Sequence, residues 1–392
     1  MEKMKTLTKE IDGLKAPAKP ETAELVAEVP FEHLKDELVE LEVLVQALVS
    51  TLNGSNSSVV NLYEEVQNIS NMVSQLESFD KNKLLQLRRE MESLKERLQD
   101  CEKSPKQPAE PAEVPYGNCE HSGLAHIGKP TLVQLNWKGS SHKYGGWGKD
   151  TAFPPARKNL YWVAPLNMDG RILEAFRTYS SYNDLLLYRS STEKQLSIYK
   201  KSTGRWNHTN GGQGAGMIIH GDYFYYNCYN SADMCRYNLK TGVVERKTLL
   251  NAMNNIRFTY SHVTYQYLDF ASDEHGLWVM YATEDSAGKI VISKLDVTSF
   301  SVVKSWTTTE YKPLVTNAFM ICGVMYAVRP LGSNKEEIFY RYDTKTGQEE
   351  QMSLVMETLM DTVQSMNYNP NEHRIYIFND GYQMYYETNF AH

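Results

Sequence analysis

Long hydrophobic runs are the first thing that this chain of 392 residues lacks. No stretch of about 18 apolar residues occurs, which excludes an ordinary transmembrane helix. The first six residues, MEKMKT, also lack the apolar segment of a signal peptide. Taken alone, this absence predicts a cytosolic protein.

Strong positive charge and enzyme motifs are missing as well. The net charge is −7 and no long basic run occurs, which argues against nucleic-acid binding. We find no G-x-S-x-G nucleophile elbow, no H-E-x-x-H helix and no P-loop. Residues 211–216 are rich in glycine, but they lack the G-x-G-x-x-G spacing, and strand-like residues follow them where a phosphate site needs a helix. We interpret them as a connecting loop, with a nucleotide site as the disfavoured alternative.

Cysteine is scarce, with five residues in the chain. Cys228 and Cys235 flank residues 229–234, a predicted hairpin tip, so a tight turn would place the two side chains opposite each other. A cross-strand disulfide and two free thiols both remain open for this pair. A zinc site is disfavoured because no second cysteine or histidine pair lies at ligand spacing.

The chain begins with a predicted leader and coiled coil. Residues 1–30 mix Lys, Glu, Ala and Pro without an apolar period and predict a flexible leader. Residues 31–101 carry apolar residues alternately three and four apart, the spacing of a coiled-coil seam, with a four-residue shift near Asp80 that unwinds the supercoil without ending it. We expect this region to self-associate, with the number of chains left open. An amphipathic helix packed on a globular domain is the alternative.

Cys101 lies three residues after Leu98, at the next position of the seam. In a parallel oligomer the two copies of Cys101 would face each other, which makes an interchain disulfide geometrically reasonable. A free, buried thiol is the alternative.

Residues 102–116 contain four prolines and predict a semi-rigid linker. The remainder, residues 117–392, is predicted to be all-β, because about twenty short runs rich in Tyr, Val, Ile and Leu alternate with turn residues. Examples of these runs are residues 131–137, 160–164, 184–188, 222–226 and 290–295.

A faint repeat occurs within the β-rich region. Residues 234–242, 291–298 and 339–347 each read as a strand followed by Asn or Asp and then Thr. Recurrence at about 45 to 60 residues is typical of propeller blades, and about twenty strands in groups of four would make five blades. A pair of β-sandwiches is the alternative, because periodicity predicts strands and leaves their closure open.

Residues 267–278, YLDFASDEHGLW, predict an apolar strand, a tight polar turn and a second strand. The carboxylate of Asp269 lies between Leu268 and Phe270, and burying it is costly unless it meets a cation or several donors. A solvated strand end is the alternative interpretation.

This stretch is one of several long motifs that resemble the olfactomedin family. The motifs are NCEHSGLAHIGKP from Asn118, KYGGWGKD from Lys143, YLDFASDEHGLWVMYATE from Tyr267, NAFMICGVMYA from Asn317 and SMNYNP from Ser365. They follow the family's order and extend from about residue 117 to the C-terminus. The region before them is most similar to the branch in which a coiled coil precedes the olfactomedin domain. The resemblance implies a five-bladed β-propeller.

The resemblance also implies a disulfide and a metal site. In the family, the first cysteine of the domain pairs with the cysteine of NAF-x-x-CG, here Cys119 with Cys322, and we expect this bond to close the ring. Members that bind calcium do so in the central channel. The corresponding positions here are Asp269, Asn317, Ala318, Met366 and Asn367. Because Asn367 is a neutral amide where calcium binders carry Asp, one carboxylate is missing, and both weakened and lost Ca²⁺ binding remain open.

Glycosylation sequons bear on the compartment and the function. They occur at Asn53, Asn56, Asn68 and Asn207. Together with the cysteines and the resemblance, they outweigh the missing signal peptide, so we expect a secreted, glycosylated protein with an incomplete N-terminus. Its expected role is multivalent, non-catalytic binding of extracellular proteins or glycans and cell adhesion in the matrix or mucus, with no nucleic-acid partner and no membrane span.

A glycan hydrolase on a five-bladed propeller is the alternative function. Such an enzyme needs two carboxylates that converge on one opening. The sequence offers Asp269 and Asp273 nearby, and spacing alone does not make them such a pair.

Overall fold

A computed structural model describes residues 116–391 except 156, 190 and 191, together with seven isolated helical positions between residues 39 and 67. Contacts divide the chain into two units, Met1–Pro105 and Lys106–His392. The predicted leader, nearly all of the coiled coil and linker, Cys101 and the sequons at Asn53, Asn56 and Asn68 lie outside the described residues.

The described part of the second unit is built from β-strands and one short helix, α1 (Tyr182–Leu186). The strands of its first half are β1 (Gly123–Ile127), β2 (Thr131–Leu135), β3 (Gly145–Lys149), β4 (Tyr161–Pro165), β5 (Ile172–Leu173), β6 (Ala175–Tyr179), β7 (Thr192–Gln195), β8 (Ile198–Lys200), β9 (Arg205–Asn207), β10 (Gly212–His220), β11 (Tyr223–Cys228), β12 (Asp233–Asn238) and β13 (Val244–Thr248). The strands of its second half are β14 (Asp269–Asp273), β15 (Gly276–Tyr281), β16 (Lys289–Asp296), β17 (Ser301–Tyr311), β18 (Asn317–Ile321), β19 (Val324–Gly332), β20 (Lys335–Asp343), β21 (Glu349–Glu357), β22 (Val363–Asn369), β23 (Arg374–Asn379) and β24 (Tyr382–Ala391). Two 3₁₀ turns, Ile256–Phe258 and Lys312–Leu314, precede β14 and β18.

The strands form five antiparallel blades. The first is β3-β4-β6-β7, the second is β13-β12-β11-β10-β5, the third is β14 to β17, the fourth is β18 to β21, and the fifth joins β22, β23 and β24 to β1 and β2. The innermost strands β3, β10, β14, β18 and β22 contact one another in a closed cycle. The predicted five-bladed propeller is therefore confirmed, and the pair of β-sandwiches is wrong.

Strand pairing between the two ends of the domain closes the ring. Both β1 and β2 pair with β24, as in the registers Ile127↔Thr388 and Leu132↔Met384. The Cys119–Cys322 disulfide, the pairing that the resemblance implied, instead ties the segment before β1 to the turn after β18 in the fourth blade. The strand pairing within the fifth blade therefore closes the ring, and the disulfide links the segment before β1 to the fourth blade.

The internal repeat is a turn between the third and fourth strands of a blade. The side-chain oxygen of Asn238 accepts hydrogen bonds from the backbone N–H groups of Lys240 and Thr241, both at 2.9 Å. Asp296 and Asp343 bind backbone N–H groups in the same way after β16 and β20. Asn and Asp favour such turns because their side chains mimic a backbone acceptor.

Two segments differ from the sequence expectations. Residues 184–188 were expected to form a strand, but they fall largely in α1, whose N-cap Ser181 accepts a hydrogen bond from the N–H of Asp184 at 3.0 Å. This side-chain bond satisfies a free donor of the first turn and so favours the helix. Residues 211–216 were interpreted as a loop, but Gly212 to Gly216 lie in β10. The glycines recur at every second position, and the pairing of β10 with β11 is irregular between Gln213 and Ile218.

Buried aromatic side chains fill the spaces between blades. Trp147 of the first blade donates from its indole N–H to the carbonyl of Ile377 in the fifth blade at 2.7 Å. Trp162 lies 5.7 Å from Phe224 of the second blade between ring centroids. Each fully buried aromatic side chain contributes about 1.5–3 kcal/mol of hydrophobic stabilisation. No helix among the described residues is long and apolar enough to cross a membrane.

Candidate functional site

Glycines on the innermost strands let neighbouring blades approach closely around the propeller axis. A Cβ atom built on Gly148 of β3 would lie 3.0 Å from Oδ1 of Asn367, and one on Gly216 of β10 would lie 2.9 Å from Oδ1 of Asp269. Gly214 has φ +69°, and its Cβ would lie 2.6 Å from the carbonyl oxygen of Tyr265. Larger residues would therefore clash, and the polar side chains of adjacent strands occupy the space over these glycines.

Asp269, the first residue of β14, is buried in this channel. Its Oδ2 accepts a hydrogen bond from the hydroxyl of Tyr260 at 2.8 Å. Burial raises the pKa of Asp269, and the Tyr260 hydrogen bond and the charge of Lys312 oppose that rise. The carboxylate is thus buried and accepts a hydrogen bond from Tyr260, and the solvated strand end is wrong.

Lys312 supplies a buried positive charge near this carboxylate. Its Nζ donates hydrogen bonds to the carbonyl oxygens of Gln266 at 2.8 Å and Tyr267 at 2.9 Å, just before β14. The same atom lies 4.5 Å from the ring centroid of Tyr260. Burial lowers the pKa of Lys312, and the charge of Asp269 opposes this shift. Tyr260 therefore connects the two charges, with its ring under the ammonium and its hydroxyl on the carboxylate.

Two buried asparagines add unpaired oxygens to the channel. Nδ2 of Asn317 donates to the carbonyl of Val363 at 3.4 Å, and Nδ2 of Asn367 donates to the carbonyl of Trp147 at 3.0 Å. Neither Oδ1 atom has a hydrogen-bond partner within the part of the chain that the structure describes. Leaving a buried acceptor unsatisfied costs about 1–3 kcal/mol, so both oxygens would gain from a cation.

The five positions that the resemblance implies for calcium come together on adjacent innermost strands. Asp269 is on β14, Asn317 and Ala318 begin β18, and Met366 and Asn367 lie in β22. A donor set made only of oxygens suits a hard cation such as Ca²⁺. The residues therefore fit a cation. Asp269 is the one carboxylate in the set, and the ammonium of Lys312 weakens the attraction for a divalent ion.

Asp273, at the other end of β14, has a separate role. One of its oxygens accepts hydrogen bonds from the indole N–H of Trp278 at 2.7 Å and from the N–H of His275 at 2.9 Å. The other accepts from the N–H of Gly323 in the fourth blade at 2.5 Å. Burial raises the pKa of Asp273 to about 6. Asp273 lies four strand positions after Asp269, about 13 Å along the backbone, so the two carboxylates do not converge like a glycosidase pair.

A surface groove of about 770 Å³ lies beside the Cys119–Cys322 disulfide, and three carboxylates line it. Asp343 binds the backbone N–H of Lys345, Glu349 binds the N–H of Thr309, and Glu350 pairs with Arg341. Each carboxylate is thus engaged in a contact that holds the fourth blade or its neighbour together.

The β8–β9 hairpin forms its own two-stranded sheet outside the five blades. The side chains of Tyr199 and Trp206 are 48% and 50% exposed. The sequon at Asn207 ends β9, and Oδ1 of Asn207 accepts a hydrogen bond from the N–H of Thr209 at 3.0 Å. In the second blade, Cys228 and Cys235 form the cross-strand disulfide, so the free-thiol alternative is wrong.

Several residues of the channel were not predicted from the sequence. Lys312 and Tyr260 belong to none of the motifs named above, and no local pattern marks their side chains as buried. The glycines of β10 had a usable signal, because glycine at every second position is the spacing of one strand face.

The fold and the channel define a five-bladed β-propeller with a polar axis that fits a cation. A family model described as the olfactomedin-like domain matches residues 114–392, and the chain belongs to this family. Olfactomedin of Aquarana catesbeiana is 49% identical over 98% of this chain and 82% of its own length. Olfactomedin-4 of Homo sapiens is 44% identical over 92% of this chain and 69% of its own length. Adhesion G protein-coupled receptor L1 of Mus musculus is 28% identical over 71% of this chain and 18% of the receptor. The resemblance inferred from the sequence motifs is confirmed.

Proposed function

We propose that this protein is a secreted, oligomeric glycoprotein of the extracellular matrix or mucus that binds extracellular proteins or glycans and promotes cell adhesion, without catalysis. The observation that carries this proposal is the β8–β9 hairpin, which presents Tyr199 and Trp206 half exposed and apart from the blades. Exposed aromatic side chains suit recognition because they offer a large contact area at a small loss of conformational entropy.

Two intramolecular disulfides support the extracellular location. Bonds such as Cys119–Cys322 and Cys228–Cys235 persist in oxidising compartments and are rare in the cytosol. The sequon at Asn207 lies in a surface turn, where a glycan can be accommodated. The sequons at Asn53, Asn56 and Asn68 add further attachment sites.

Self-association makes the binding multivalent in this proposal. The heptad seam of residues 31–101 gathers several propellers, and Cys101 links the chains covalently. When one propeller has bound, the next binds at a raised effective concentration, so weak individual contacts add up.

A cation in the channel belongs to the same proposal as a structural element. Asp269, Asn317, Asn367 and the carbonyls of Ala318 and Met366 would hold it, and it would satisfy the two unpaired amide oxygens. With one carboxylate in the set, Ca²⁺ binds weakly.

Glycan hydrolysis is the second candidate, and the contacts of the acidic residues disfavour it. Asp273 is enclosed by three donors, and each carboxylate of the disulfide groove is held by a turn or a partner. A hydrolase needs one carboxyl group free to give a proton and a second one opposite it.

The full-length secreted chain tests this proposal in an interaction screen against extracellular proteins and glycans. We expect binding without product formation, and a disulfide-linked oligomer on non-reducing gels that Cys101→Ser converts to single chains. The variant should also bind more weakly at equal chain concentration. Hydrolysis of any glycan in the screen, or a single-chain species in the parent protein, would contradict the proposal.

A further inference from the structure

Aromatic rings form a continuous row that starts on the β8–β9 hairpin and continues onto the second blade. The ring centroids of Tyr199 and Trp206 are 5.4 Å apart, those of Trp206 and His208 are 6.1 Å apart, and those of His208 and Tyr229 are 4.8 Å apart. We call these four residues the aromatic ladder. Each step is comparable to the length of one sugar ring in an extended polysaccharide.

The ladder is held in place by its neighbours. Tyr199 and Trp206 are directly opposed in the β8–β9 register, and Nδ1 of His208 lies 2.8 Å from the hydroxyl of Ser197. The guanidinium carbon of Arg171 lies 5.4 Å from the ring centroid of Tyr229. A surface that is already ordered loses little entropy on binding, which favours affinity.

Positive charge lies at the tip of the hairpin, where Lys200 and Arg205 form the register pair next to Tyr199–Trp206 and leave from the face opposite the ladder. Residues 194–221 contain no Asp or Glu, although the whole chain carries a net charge of −7. Lys200, Lys201 and Arg205 are exposed at the end of the hairpin, and none of them takes part in an ion pair of the described residues. Three exposed cations that have no ion-pair partner among the described residues complement a ligand of negative charge.

We propose that the aromatic ladder and these three cations bind an anionic polysaccharide. Sugar rings stack on Tyr199 and Trp206, because the C–H groups of a sugar are attracted to the negative face of an aromatic ring. Where the same chain passes over the hairpin tip, its sulfate or carboxylate groups pair with Lys200, Lys201 and Arg205. This inference rests on the proposed binding function and specifies its ligand class.

The geometry of the hairpin favours a polysaccharide over a membrane surface. The turn between β8 and β9, residues 201–204, is Lys-Ser-Thr-Gly and has no apolar side chain to insert into lipid. The two aromatic residues lie on one face of the hairpin, behind this polar tip. An interfacial anchor would need its apolar residues to lead into the bilayer.

The sequon leaves the ladder accessible. Asn207 is paired with Ile198 in the register, one position along from the Tyr199–Trp206 pair. Successive side chains of a strand point to opposite faces, so a glycan on Asn207 projects away from the ladder, on the face from which Lys200 and Arg205 extend nearer the tip.

Binding of the full-length protein to immobilised heparin and dextran sulfate, with uncharged dextran and phosphatidylserine vesicles as further probes, tests the proposal. The parent should bind both sulfated chains, with affinity that falls as salt rises, because released counterions favour the complex. Trp206→Ala should weaken binding about tenfold, the effect of losing a moderate contact residue, and Trp206→Phe should restore most of it. The triple change of Lys200, Lys201 and Arg205 to Gln should weaken binding at least as much and flatten the salt dependence.

A matched control changes Lys247, Lys304 and Lys335 to Gln. These residues are exposed on the second, third and fourth blades, so the control alters the net charge equally while leaving the ladder intact. It should bind like the parent. Loss of binding in this control, an unchanged affinity in Trp206→Ala, or binding to vesicles but not to the sulfated chains would each overturn the proposal.

Failure of this inference is distinguishable from failure of the proposed function. If the parent ignores all four probes but binds proteins or neutral glycans in the interaction screen, the adhesion function stands and the ligand class is wrong. If the screen also yields no partner, both are wrong.

Discussion

The channel and the hairpin handle charge in opposite ways. In the channel, Asp269 and Lys312 are buried and face each other across Tyr260. On the hairpin, Lys200 and Arg205 are exposed, and neither forms an ion pair within the part of the chain that the structure describes. A buried charge must be matched within the protein, whereas an exposed charge remains able to bind a ligand. We therefore expect the channel at the propeller axis to contribute stability and the hairpin at the periphery to bind ligands.

The largest expected effect concerns the buried pair. Asp269→Asn or Lys312→Met alone leaves one charge buried without its partner and should lower the free energy of unfolding by about 3–5 kcal/mol. The double variant should cost less than the sum of the single variants, because neither charge remains. Denaturant unfolding of the four proteins in chelator measures this coupling. Additive costs would mean that the two charges do not depend on each other.

A smaller effect concerns acid stability through His373, which lies buried in the turn between β22 and β23. Burial lowers its pKa from 6.5 to about 4, and the nearby charge of His121 acts in the same direction. Between these pH values the unfolded chain binds more protons, so stability should fall as the pH drops through the window, by about 3 kcal/mol at most.

The variant His373→Asn should reduce this loss. Asn tolerates the positive φ of 50° at this position and does not titrate. His126→Asn, at an exposed position of β1, is the matched control. The measurement is the free energy of unfolding of both variants from pH 7 to pH 4. If this free energy falls equally in both, His373 does not cause the loss of stability in acid.

Calcium offers a second test of the channel. Asn367→Asp supplies a second carboxylate, so it should tighten Ca²⁺ binding and raise the melting temperature only when calcium is present. At a calcium concentration one hundred times Kd, the bound ion should add about 2.7 kcal/mol to the free energy of unfolding. In chelator the same change should destabilise the protein, because two carboxylates would share a buried site. Asp269→Ala should remove any calcium response of the parent. If calcium changes the melting curve of none of the three proteins, the channel does not bind this ion.

The sequence predicted the blades well because their signals are local. Short apolar runs between turn residues and a recurring strand-turn pattern predicted about twenty strands in groups of four. The family resemblance implied five blades, and its motifs around Asp269 and Asn317 indicated the channel strands. The closure by β1 and β2 onto β24 was assigned to a disulfide instead, since pairing between the two ends of a chain leaves no local pattern. The helix at Tyr182–Leu186 was missed because a single capping residue, Ser181, outweighs its strand-like composition.

The site was only partly predictable, because contacts between distant parts of the chain leave no local pattern in the sequence. Asp269, Asn317 and Asn367 stand in motifs, but Lys312 enters the channel from a 3₁₀ turn, and its burial depends on carbonyls 45 and 46 residues away in the chain. The aromatic ladder joins residues of a hairpin to Tyr229 of the second blade. Contacts of this kind exist only after folding.

The most direct test of the division between axis and periphery measures melting temperature and heparin affinity together, on Asp269→Asn and on the triple change of Lys200, Lys201 and Arg205 to Gln. We predict that Asp269→Asn lowers the melting temperature by roughly 10 °C while the folded protein retains its affinity. The triple variant should keep the parent's melting temperature and lose affinity at least tenfold. If the triple variant melts early, or if folded Asp269→Asn loses heparin binding, the two regions do not divide stability from recognition and the account is wrong.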